Sequence, residues 1–368
     1  MQDELMVATR KGLFSVGRGP DRPWEITGSS FLGNNVSLVL SDSRDGARYA
    51  ALNHGHFGVK LHRSDDGGKV WQEISAPAFP KDEPATVNTI MGEPIAPSVS
   101  LIWALAAGGG DQDRRIWCGT IPGGLFKSDD RGDSWELVRP LWDHPGRREW
   151  LGGGADLPGI HSILIDPRDP RRIIVGVSCG GVWISPDDGE TWACKAQGMR
   201  AAYMPPERAL DPGIQDPHQV AFCRTQPDTM WAQHHNGIFK TEDGGESWRE
   251  LSDVKPSAFG FAVAVHPEDA NTAWFVPGVS DEHRLPPEGR VVVTRTRDGG
   301  ASFEVLDRGL PREHAYDLTF RHALALDETG NRLAFGTTTG SLWVSEDQGN
   351  TWEMVSVHLP PVYAVRFA

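Results

Sequence analysis

Short apolar runs separated by glycine, proline, aspartate and asparagine recur along the whole chain. The stretch "RRIIVGVSCGGVWISPDDGETWACK" (171–195) shows the pattern: apolar run, glycine turn, apolar run, acidic turn, short final run. Such runs bounded by turn residues predict β-strands. The same plan returns in "RRIWCGTIPGGLFKSDDRGDSWELV" (114–138), "TMWAQHHNGIFKTEDGGESWREL" (229–251) and "RLAFGTTTGSLWVSEDQGNTWEMV" (332–355). One further apolar run precedes several of these, as in "HSILID" (161–166), "HQVAFC" (218–223) and "FAVAVH" (261–266). No segment carries the period of a long amphipathic helix. Each unit therefore predicts four short strands, antiparallel because the connections are too short for crossovers.

The acidic turns set the count. "SDDGGKVW" (64–71), "SDDRGDSW" (128–135), "SPDDGETW" (185–192), "TEDGGESW" (241–248), "TRDGGASF" (296–303) and "SEDQGNTW" (345–352) share one spelling. Their last residues stand 64, 57, 56, 55 and 49 positions apart. A decayed copy, "GLFSVGRGPDRPWEI", opens the chain. Seven such units predict an all-β, seven-bladed β-propeller of four-stranded antiparallel blades, with residues 1–368 as a single propeller domain. The chain starts at a second strand and ends on a lone inner-type strand, "VYAVRFA" (362–368). That last strand is expected to pair into the first blade and close the ring.

The spelling Ser/Thr-x-Asp-x-Gly-x-x-Trp resembles the Asp-box, or BNR, repeat. Its carriers include bacterial and viral sialidases, xyloglucan-cleaving endoglucanases, sortilin-type receptors and the photosystem II assembly factor. The resemblance spans residues 7 to 352 and implies a sialidase-like, glycosyl hydrolase-like propeller. It does not single out one function, because the fold carries hydrolases, receptors and assembly factors alike. The Arg-Ile-Pro motif of sialidases is missing, and only four tyrosines are present, so sialidase catalytic residues are not carried over. The xyloglucan-cleaving enzymes typically pair two propellers, whereas one is expected here.

Within the octapeptides, Asp66, Asp130, Asp187, Asp243, Asp298 and Asp347 are short acceptors for backbone N–H groups of their own turns. Gly68 and its counterparts allow the left-handed backbone such a turn needs. A calcium loop would instead require several oxygen ligands and a late bidentate Glu, where these turns carry an aromatic ring. The octapeptides thus read as structural hairpins between strands three and four.

Strand direction alternates within a blade, so the hairpins mark one face. The two–three turns and blade links fall on the other, the mouth. Of thirteen histidines, His54, His56, His144, His161, His218, His234, His235, His283, His314, His322 and His358 map there. His161, His218 and His322 align at the starts of inner strands, where a sixth blade has Phe261. His54 and His235 end second strands. Imidazoles converging on an axis are candidate ligands for a divalent transition metal, so His54, His161, His218, His235 and His322 form the candidate metal set. The alternative is that each bonds to a neighbouring blade or lines a wet channel.

Long links add further chemistry at the mouth. Asp156, Glu207 and Asp216 are the candidate catalytic carboxylates, since glycoside cleavage needs an acid and a base or nucleophile. Arg147, Arg148, Trp150, Tyr203, Arg208 and Glu313 are candidate ligand-binding residues, offering charge for anions and rings for sugars. The segment 279–290 is long enough to fold over as a lid. A hydrolase or lyase acting on a sugar or other small molecule is the expected function. A non-catalytic binding or assembly scaffold is the alternative.

Charge narrows the partners. The net charge of −14 argues against nucleic acid and anionic membranes, leaving a small-molecule or glycan ligand. Cys118, Cys179, Cys194 and Cys223 lack CxxC spacing and lie in or beside apolar runs. They read as free thiols, and the expected location is the cytoplasm. The N-terminal residues carry no basic-then-apolar export pattern, and no apolar run is long enough to span a bilayer.

Overall fold

The computed structural model describes residues 3–19, 22–87, 94–95, 97–152 and 157–368. Seven four-stranded antiparallel sheets make up a seven-bladed β-propeller. The third blade runs from inner to outer as Leu101–Ala107, Ile116–Ile121, Leu125–Ser128 and Glu136–Leu137. The fourth is Gly159–Ile165, Ile173–Ser178, Gly181–Ser185 and Ala193–Cys194. The fifth is Pro217–Cys223, Gln226–His234, Gly237–Thr241 and Arg249–Glu250. The sixth begins at Gly260–Val265, the seventh at Leu324–Leu326, and the second at Val36–Ser41. In the first blade, Glu25–Ser30, Gly12–Gly17 and Glu4–Thr9 are completed by Val362–Phe367, which pairs antiparallel with Glu4–Thr9. The expected closure by the last strand is therefore present.

Two compact units divide the chain. One comprises Met1–Ser41, His218–Gly244 and Arg249–Ala368; the other comprises Asp42–Pro217 and Gly245–Trp248. In each, apolar clusters lie between adjacent blades. In the second unit, Trp117 and Leu125 of the third blade pack with Ile173, Val175 and Trp183 of the fourth. In the first unit, Trp274 and Val293 of the sixth blade meet Leu333, Phe335 and Trp343 of the seventh. A middle strand touches a neighbour on both faces, so Ile173–Ser178 is buried throughout, whereas the outermost strand Glu25–Ser30 is almost wholly exposed. This is why the central strands read as continuous apolar runs. Each fully buried tryptophan removes about 150–250 Å² from water, which makes these rings the main cement between blades.

The octapeptides are closed by their own side chains. Asp187 Oδ1 accepts the Thr191 N–H at 2.8 Å and Oδ2 accepts the Thr191 hydroxyl at 2.7 Å. Ser185 Oγ donates to Asp187 and accepts the Gly189 N–H. Asp130, Asp298 and Asp347 repeat the same bonds. In Asp298, the Ser302 hydroxyl and backbone N–H hold the carboxyl at about 2. These oxygens are spent on the turn itself. The terminal rings then tie blades together: Trp248 Nε1 donates to Lys195 O at 2.8 Å, and Trp135 Nε1 to Ser75 O at 2.9 Å.

Candidate functional site

Inner strands of several blades break register near their starts. Pairing passes from Ile160↔Val177 to Ser162↔Gly176 and leaves His161 out of the ladder. The third blade leaves out Trp103 in the same way. In the sixth blade, Phe261 and Ala262 fall inside a register shift between Gly260 and Val263. Such bulges re-aim side chains. Sequence alignment puts His218, His322 and Tyr363 at the matching positions of other blades.

In the unit containing residues 249–368, these positions build an arc of rings. His218 stacks on Phe261 with centroids 4.5 Å apart and planes at 15°. Phe261 meets Phe320 edge-on at 6.0 Å, and Phe320 stacks on Tyr363 at 6.4 Å. Phe259 packs edge-on to both His218 and Phe261. Two guanidiniums approach the same ring: Arg321 Cζ lies 5.3 Å and Arg284 Cζ 5.5 Å from the Phe261 centroid. Segment 279–290 thus reaches over Phe261 through Arg284.

His218 is buried, and its Nδ1 lies 2.7 Å from Gly260 O. A carbonyl can only accept, so Nδ1 carries a proton, and in the neutral imidazole Nε2 is then the nitrogen with the lone pair. His235 approaches His218 edge-on at 5.5 Å. Asp216, buried just before the strand, takes the Ser178 hydroxyl and the Cys179 N–H on Oδ1, each at 3.0 Å. His218 and His235 each offer one ring nitrogen, and these two atoms lie within 4.8 Å of one another.

Of the five candidate metal-binding histidines, the structure brings His218 and His235 together. His54 sits in the turn before Gly55–Phe57, where its N–H donates to Gly58 O. His161 is fully buried, with Nδ1 2.9 Å from Ser162 Oγ and its ring edge-on to Trp103. His322 holds the closing strand: its carbonyl accepts from Val365 N at 2.9 Å and from Arg366 Nη1 at 3.0 Å.

Of the three catalytic candidates, Asp216 is buried and held by Ser178 and Cys179. Glu207 is exposed on its loop, and Asp156 lies outside the described residues. In the ligand-binding set, Trp150 is buried edge-on against Trp183 rather than presented to solvent. Tyr203 is exposed, and its hydroxyl donates to Ile214 O at 2.8 Å. Arg208 is engaged by Asp211 and Glu149, both at 2.9 Å. Glu313 and Arg148 are exposed, while Arg147 is half-buried beside Trp142. Sequence reasoning passed over Arg284, Arg321, Phe320 and Tyr363 as site residues. Tyr363 was findable by extending the histidine alignment to the closing strand.

The chain matches no known family model. A curated oligoxyloglucan-reducing end-specific xyloglucanase of Emericella nidulans is 31% identical over 78 residues, which is 21% of this chain and 8% of that protein. Among solved structures, the GH74 xyloglucanase of Xanthomonas campestris superposes with TM-score 0.62 at 18% identity, covering 100% of this chain and 52% of that one. The periplasmic gluconolactonase PpgL of Pseudomonas aeruginosa gives 0.56 at 13%, covering 99% and 98%. YCF48 of Cyanidioschyzon merolae gives 0.53 at 12%, covering 89% and 87%. The chain thus spans about half of the xyloglucanase structure and a small part of the curated relative. At these identities the shared feature is the propeller fold.

Proposed function

We propose that His218 and His235 hold a divalent transition ion, and that the aromatic arc beside them seats a sugar or similar small molecule for hydrolysis or elimination. The observation that carries this reading is the Nδ1 proton of His218 held on Gly260 O with the His235 ring beside it. Imidazole nitrogens suit Zn, Fe, Cu or Ni. Histidine ligands of such ions commonly pass their second ring nitrogen to a backbone carbonyl, as His218 does with Gly260. A bound ion would supply Lewis acidity and an acidified water. Around it, Phe261 and Tyr363 offer apolar surface for a sugar face, and Arg284 and Arg321 offer positive charge to an oxygen that gains negative charge. Fold neighbours named as a xyloglucanase and a gluconolactonase lend support, since both names denote action on sugar-derived molecules.

The test uses protein purified without a histidine tag and loaded in turn with Zn, Mn and Fe(II). About one ion per chain is expected by elemental analysis, lost in His218→Ala and in His235→Ala and retained in His54→Ala. The loaded protein is then assayed on aryl glycosides and aldonolactones. Absence of ion in the wild type sinks the metal centre. Turnover unchanged by His218→Ala sinks the assignment of this site, and a loaded protein inert on every substrate favours the binding-scaffold alternative.

A further inference from the structure

A cavity lies in the unit that contains residues 42–217. The short helix Arg139–Trp142 and the turn Pro145–Glu149 place Trp142, Asp143, His144, Arg147 and Arg148 on one side of a space of about 550 Å³, bordered by Glu83, Pro84 and Ala85. That volume suits a ligand of sugar size.

The Arg147 guanidinium lies over Trp142, its Cζ 3.3 Å from the ring centroid, with the Trp150 centroid 5.9 Å away. Among the described residues Arg147 forms no ion pair, and its buried Nε donates to no acceptor. Burial pulls this guanidinium down to about 10, against the weaker opposing pull of Glu83 and Asp143. Neither carboxylate is at its disposal. Glu83 is bound by Arg139 Nη2 at 2.6 Å and by Trp142 Nε1, and Asp143 is exposed, 3.6 Å from Arg139 Nη1. A desolvated cation without a counter-charge is costly, and removing that cost is what an arriving anion does. Arg148 adds a second positive charge at the rim.

We infer that this cavity binds the carboxylate of a sugar-sized organic acid, with Arg147 as a planar fork backed by Trp142 and Arg148 at the rim. A carboxylate matches the guanidinium fork in geometry. It also brings a single negative charge, whereas a phosphate dianion would be repelled by Glu83 and Asp143 lining the same space. The inference stands independently of the proposed metal centre, since it uses none of those residues.

Thermal shift and calorimetry with sodium glucuronate, glucose and inorganic phosphate test it. Glucuronate should raise the melting temperature saturably, glucose should not, and phosphate should do so less. Arg147→Gln should abolish the glucuronate shift while leaving the unliganded protein folded, because it removes an unpaired cation. Arg147→Lys keeps the charge without the fork and should weaken binding about tenfold or more. It serves as the second variant if Arg147→Gln does not fold. No response to glucuronate, or an undiminished response in both variants, overturns the site. A phosphate response stronger than that to glucuronate overturns the carboxylate assignment.

Discussion

His218 donates its Nδ1 proton to the carbonyl of Gly260 across 2.7 Å, from the inner strand of one blade to that of the next. Gly260 is buried, so truncating His218 strands its carbonyl. His218→Ala should cost about 1–3 kcal/mol from that group alone. His235 is half-buried and meets His218 edge-on, so His235→Ala loses only partial burial and should cost about 1 kcal/mol or less. Both variants should nevertheless lose the ion. Urea midpoints measured beside metal content separate the two roles. Equal destabilisation would show that the Gly260 bond is not what distinguishes them.

A Cβ on Gly198 would fall 2.1 Å from the carbonyl oxygen of Trp248, and the backbone there has φ of +93°. The neighbouring Gln197 carbonyl accepts the Trp248 N–H at 2.8 Å, so strand and blade link cannot easily separate. Gly309 and Trp352 repeat the arrangement in the other unit, again at 2.1 Å. Gly198→Ala and Gly309→Ala should each cost about 2–4 kcal/mol, the clash adding to the left-handed strain. Gly33→Ala is the control, with φ of +87° and nothing within 4 Å of its Cβ. It should cost about 1–2 kcal/mol. Chemical denaturation of the three variants checks the ranking, and equal losses would mean that close packing against tryptophan adds nothing.

The blades were legible because each repeats a turn whose chemistry is local. Ser185, Asp187, Gly189 and Thr191 satisfy one another within a single octapeptide, so the spelling alone carries the hairpin. Closure by Val362–Phe367 was legible from a strand without a blade. The site was legible only in part. Aligning inner-strand starts found His218, but which imidazole meets it depends on side-chain direction across a bulged strand, and periodicity does not encode that. Trp150 lies beside a glycine-rich stretch that reads as surface, yet its ring packs on Trp183. Arg284 comes over Phe261 from a loop with no repeat to place it.

Asp166 sits nearly fully buried, gripped by Arg168 and Arg172, both at 2.7 Å. Burial opposes ionisation there, but the two guanidiniums win and hold the carboxyl at about 2. A folded value below the unfolded one of about 3.9 means that the unfolded chain binds the proton more readily. Its stabilisation is therefore complete above about pH 5 and fades as pH falls towards 2. Asp166→Asn should be less stable than wild type at pH 6, and its stability should fall less between pH 4 and 2.5. Urea titrations across that range read the slope. Parallel pH curves for the two proteins would remove Asp166 from the acid response.

Phe261 carries the segment above it through charge on ring. Arg284 and Arg321 each lie within 5.5 Å of its centroid, and such contacts are worth about 0.5–1 kcal/mol at accessible sites. Arg284 is otherwise tied to Asp281 of its own segment, which does nothing to hold that segment down. Phe261→Leu keeps an apolar side chain of similar bulk but loses the ring face, so segment 279–290 should lift more often. Trypsin cleavage after Arg284 should then speed up about two- to fivefold, the kinetic equivalent of the lost contact. Cleavage after the exposed Arg224 serves as the internal reference for protease activity. Phe261→Tyr retains the ring and should leave the Arg284 rate where it is in the wild type. If Leu and Tyr variants are cut alike, the ring is not what holds Arg284, and the lid must be anchored elsewhere along 279–290.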